Sequence, residues 1–129
     1  MAFTDKVAEN KMAAEKCLTF GAYNAGVTRA YYSAFLHIKS YLIKNGFNYT
    51  EFLKQNNSVD REFSHGTLRS ATVKCLMANG KKPADVCKLT VLSDMYKKRI
   101  IADYTRENIL ESELKVSLQN LKTVLLVVS

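Results

Sequence analysis

Apolar residues along this chain recur at steps of three and four, and no segment shows sustained alternation with β-branched enrichment, so the pattern predicts helices and no strands. Stop signals divide the pattern into segments. The first helix is expected over 5–20, with Thr4 as its cap, Gly21 as a left-handed terminator, and Val7, Met12, Ala14 and Leu18 on its apolar face. A longer helix over 22–44 ends at Asn45-Gly46 and has the length of a bundle's central spine. Thr50 is placed to cap a short turn over 51–54, ahead of the polar connector Gln55-Asn56-Asn57-Ser58. A third helix over 60–78 stops at Asn79-Gly80, and Pro83 fits the first turn of a helix over 84–103. Residues 105–108 break the pattern before a last helix over 111–128. About five helices with short connections predict an all-α, up-and-down helical bundle. At 129 residues the chain accommodates one domain, 1–129, with a workable core and no room for a second.

A net charge of +7 and a pI near 9.4 favour encounter with polyanions such as RNA or anionic nucleotides. The charge is spread along the chain, with small clusters at Lys81-Lys82 and Lys97-Lys98-Arg99, and no RNP-type aromatic motif or Arg-rich arm accompanies it. A merely solubilising basic surface is the alternative reading. Cys17, Cys75 and Cys87 form neither an even disulfide framework nor a zinc-ligand spacing, and read as reduced thiols. The N-terminal stretch is charged and amphipathic rather than a signal h-region, and no apolar run approaches the roughly 20 residues of a membrane span. A soluble, unprocessed, cytoplasmic protein without membrane attachment is the expectation.

Arg29, Ser33 and His37 are spaced by four on the second helix and follow one stripe, with Tyr32 and Leu36 beside it. A cation, a hydroxyl and an imidazole along a groove can hold a phosphate and move a proton, as RNA transesterification without a metal requires. The competing reading makes Arg29 a structural ion-pair residue and His37 a polar residue at a helix interface. Tyr31, Tyr32, Phe35 and Tyr41 read as core or interface before they read as base-stacking platforms. Arg99 and Asp103 are four apart, close enough to pair at a surface value of ~0.3 to 0.5 kcal/mol. His65 has a near-neutral titration suited to acid–base work, or else fixes a helix start by hydrogen bonding. Gly66 fits close helix packing. No P-loop, GxGxxG, HExxH or paired-carboxylate pattern is present, so neither a metal nor a cofactor is expected.

Two separated segments, Arg29-Ala30-Tyr31-Tyr32-Ser33-Ala34-Phe35-Leu36-His37 and Arg99-Ile100-Ile101-Ala102-Asp103-Tyr104, resemble the two signature stretches of the HEPN family. Phe63-Ser64-His65-Gly66 resembles the family's His-containing helix start, and 111–128 its final helix, so the resemblance covers roughly 4–128. It implies a helical bundle tied to RNA cleavage or nucleotide binding, with Asp103 binding Arg29 across the bundle to lock the signature helices. It also implies a homodimer paired through those helices, for which Tyr31, Phe35 and Ile38 supply apolar surface.

The chain departs from the pattern of many catalytic members, in which an Arg is followed by four to six residues and then a His. Seven residues intervene between Arg29 and His37, three between Arg61 and His65, and no His follows Arg99. Asp103-Tyr104 instead resembles the branch whose members often work beside a minimal nucleotidyltransferase. Leu36 stands where relatives commonly carry the histidine, which turns the His37 ring by about 100°. Three functions follow from the resemblance. One is a binding and regulatory module that holds RNA or a nucleotide through Arg29, Tyr32, Ser33, Asp103 and Tyr104, or engages a nucleotidyltransferase partner. Another is a metal-independent endoribonuclease of a toxin–antitoxin or phage-defence system, with Arg99 stabilising phosphate charge and His37 or His65 as general base. The third is a structural adaptor bundle.

Overall fold

Gly21 makes the chain's first reversal: at φ +75° it occupies the left-handed region, and the Ala22 N–H reaches back to the Cys17 carbonyl at 2.9 Å. Helix α1 (Phe3–Phe20) therefore turns directly into α2 (Tyr23–Lys44), and the two pack side by side. The structure, a computed structural model, describes residues 3–48, 51 and 65–129. Further along lie α3 (His65–Ala78), the single turn α4 (Pro83–Val86), a 3-10 turn (Cys87–Thr90), α5 (Val91–Tyr104) and α6 (Glu111–Val127). The protein is an all-α helical bundle with no strand among the described residues. Thr50, the 52–54 part of the expected turn, the 55–58 connector and the 60–64 start of the third helix lie outside the described residues.

The expected helix over 84–103 is continuous in path but tightens near its start. Val86, Leu89, Leu92 and Met95 are all buried at steps of three. A 3-10 segment has three residues per turn, so over this stretch it keeps that row on the core side, where an α-helix would rotate it away. Two expectations for α1 are corrected. Thr4 lies inside the helix instead of capping it, and Met12 is 51% exposed. Met12 lies five positions after buried Val7, a rotation of about 140° off the packed stripe.

Helix α2 is the spine, in contact with α1, α3, α5 and α6. Its Ala30, Ala34, Ile38 and Leu42 are fully buried and meet Leu68 and Leu76 of α3, Leu92 and Met95 of α5, and Leu121 and Val124 of α6. Each fully buried Leu or Ile of this kind contributes about 2 kcal/mol of transfer free energy. A smaller cluster of Val27, Ile109 and Leu114 closes the other end of the bundle. There Gly26 permits the approach of three helices, since a Cβ on it would fall 2.6 Å from a Leu114 methyl and 3.1 Å from Cys17 Cβ.

The break over 105–108 is pinned to α2 by Asn24, whose Oδ1 accepts the Ile109 N–H at 2.8 Å and whose Nδ2 donates to Asn108 at 3.1 Å. Glu113 then fixes the start of α6, accepting the Leu110 N–H at 2.9 Å and pairing with Lys98 of α5. Both changes of charge affinity agree with that pairing: Lys98 is pushed up and Glu113 pulled down, each chiefly by the hydrogen bond between them.

Candidate functional site

The packing of α5 on α2 brings Arg99 onto a group of aromatic rings. Its guanidinium carbon lies 5.3 Å from the Tyr32 ring centre, 5.7 Å from Tyr104 and 5.8 Å from Tyr31, within cation–π range of all three. Nη2 donates to the Tyr32 hydroxyl at 3.2 Å and stands 3.5 Å from that of Tyr104. The buried Nε–H lies 3.4 Å from Asp103 Oδ2 without the alignment of a hydrogen bond. Nη1 has no hydrogen-bond partner among the described residues. The Arg99 side chain is 19% exposed, so the cation is held in place yet reachable, with the 69% exposed Tyr104 at its rim.

Asp103 is itself tied to α2, because its Oδ1 accepts the Thr28 hydroxyl at 2.8 Å. The expected Arg29–Asp103 lock is thus replaced by Thr28–Asp103–Arg99. One residue along a helix is a turn of about 100°: Thr28 faces α5, whereas Arg29 is exposed toward α1, 3.4 Å from Asn10 Oδ1.

Tyr31 also contacts His65. Tyr31 is 2% exposed, and burial raises its hydroxyl well above the usual phenol range, so it keeps its proton. That hydroxyl sits 3.2 Å from His65 Nδ1, and the imidazole stacks on Tyr96 at 4.1 Å between centres. Burial, with Arg69 nearby, lowers the His65 pKa below its ordinary value. The neutral ring this favours has one lone pair. If Tyr31 donates to Nδ1, that lone pair is consumed; if Nδ1–H donates to Tyr31, Nε2 is left free to take a proton.

A family model described as HEPN domain matches residues 6–129. The chain belongs to the HEPN domain family. No curated protein and no solved structure gives a significant match.

Within this HEPN domain the expected site residues divide into two groups. Arg99, Tyr32, Asp103 and Tyr104 come together, and His65 reaches the same cluster through Tyr31. The Arg29, Ser33 and His37 stripe does not join them. Ser33 is fully buried and donates to the Val7 carbonyl of α1 at 2.8 Å, so it cannot meet a ligand. His37 uses Nε2–H to hold the Val128 carbonyl, since a carbonyl can only accept. Thr28, Tyr96 and Arg69 also act on these residues. Nothing in the spacing of Tyr96 and Arg69 marks them, and Thr28 is legible only once α5 is known to lie against it. No described helix is long and apolar enough to cross a membrane.

Proposed function

We propose that this HEPN domain is a binding and regulatory module that takes an RNA or nucleotide phosphate at Arg99, with Tyr104 offering its exposed ring to a base. The observation that supports this reading is the fixed, partly exposed guanidinium set among three tyrosines. Asp103 and the rings orient Arg99 before any ligand arrives, which reduces the ordering cost of binding. Arginine presents a planar fork that matches phosphate oxygens, and an exposed aromatic accepts any base by stacking. Pairing of two copies through α2 and α5 would double this surface, and a nucleotidyltransferase partner would meet the same exposed Tyr104.

The test is anisotropy of a fluorescent RNA oligomer and of a fluorescent ATP analogue at low salt. Arg99→Ala should weaken binding about tenfold or more, since a charge-assisted contact to phosphate carries ~1.5 to 3 kcal/mol. Equal affinity of wild type and Arg99→Ala would overturn the proposal. Light scattering of the same sample reads the oligomeric state.

One observation favours endoribonuclease activity as a second reading: Arg99 and His65 both contact Tyr31. It requires the tautomer with Nε2 free. RNA cleavage in the presence of a chelator that disappears in folded His65→Ala and Arg99→Ala would establish it.

A further inference from the structure

A separate cavity of about 520 Å³, within the range of small-molecule sites, opens where α2 and α3 end, away from the Arg99 cluster. Its walls are more apolar than polar and include Val7, Tyr41 and Val128. His37 belongs to the wall, its Nε2–H already spent on the Val128 carbonyl. Asn79 Nδ2 donates to the Tyr41 hydroxyl at 2.8 Å and to Asn45 Oδ1 at 3.0 Å. The Tyr41 hydroxyl accepts from Asn79 and also meets the Cys75 thiol, so it is held as part of the wall. Lys44 and Lys81 line the same space from different segments of the chain. Among the described residues neither pairs with a carboxylate, and no Asp or Glu side chain lines the cavity. Two ammonium groups on a largely apolar wall, unbalanced by any side-chain acid among the described residues, match one ligand chemistry.

We infer that this cavity binds a small organic anion: an apolar or aromatic body carrying one phosphate, carboxylate or sulfonate, its charge held by Lys44 and Lys81. The site is independent of the Arg99 cluster and of the function proposed for it. The probe is 8-anilinonaphthalene-1-sulfonate, an aromatic body with one anionic group, titrated into the full chain by fluorescence and by calorimetry. One saturable site is expected, with uncharged N-phenyl-1-naphthylamine at least about tenfold weaker. The double variant Lys44→Glu with Lys81→Glu should lose about tenfold or more in affinity while keeping its near-ultraviolet circular dichroism. Should that variant fail to fold, Lys44→Gln with Lys81→Gln provides the same comparison. Arg99→Ala should bind the probe as wild type does. The inference is overturned by an absence of saturable binding, by equal affinity for the neutral probe, or by indifference to the lysine substitutions. Loss of binding in Arg99→Ala would also overturn it, because the probe would then occupy the other site.

Discussion

Two neighbouring stripes of α2 carry comparable polar chemistry and are used in opposite ways. Arg29, Ser33 and His37 face α1 and the end of α6, where Ser33 and His37 each satisfy a backbone carbonyl of another segment. Thr28, Tyr31 and Tyr32 face α5 and hold Asp103 and Arg99 in position. Ser33 and His37 of the first stripe are consumed by the fold and Arg29 is left at its exposed edge, whereas the second stripe fixes Arg99 among aromatic rings and leaves it reachable. Chemical type alone does not distinguish a site from a scaffold; what distinguishes them is whether a group's hydrogen-bonding capacity is already spent.

The sharpest way to break this comparison is Tyr31→Ala, since Tyr31 belongs to both the core and the cluster. Removing a nearly fully buried aromatic should cost about 3 to 5 kcal/mol by urea unfolding. A loss below about 1 kcal/mol would show that the α2–α5 contact is not built on this ring. Ser33→Ala comes next, at about 1 kcal/mol for one buried hydrogen bond, with RNA binding unchanged in anisotropy. Weaker RNA binding by the folded Ser33→Ala protein would return that stripe to the site.

Titration of His65 supplies a finer test. Its folded pKa lies below the ordinary value of 6.5, so the unfolded chain binds the proton more readily. The corresponding stability is complete above about pH 6.5 and is lost as pH falls toward the folded pKa. The urea midpoint of wild type should therefore fall between pH 7 and pH 5 more than that of His65→Gln; parallel profiles would contradict the buried, neutral ring. The smallest effect belongs to Arg29→Ala, within about 0.5 kcal/mol, because its contact is exposed and long. A loss of several kcal/mol there would mean that Arg29 has a buried partner after all.

Much of the architecture is readable in the sequence. Helix ends at Gly21, Asn45 and Asn79, the proline start at Pro83 and the break after Tyr104 are local events, written in residues whose backbone preferences act within one turn. Half of the site was also legible, because Arg99, Asp103 and Tyr104 sit together on one helix. Their partners were not: choosing Thr28 over Arg29 depends on a rotation of one residue on α2 and on how α5 is seated against it. The same holds for the two histidines, which share a chemistry in the sequence and part company in space. The sequence by itself determined that this chain is a helical bundle with an unusual spacing of arginine and histidine. Only the tertiary structure decided which polar groups remain available, because burial and the pairing of donors with acceptors are set by contacts between segments distant along the chain.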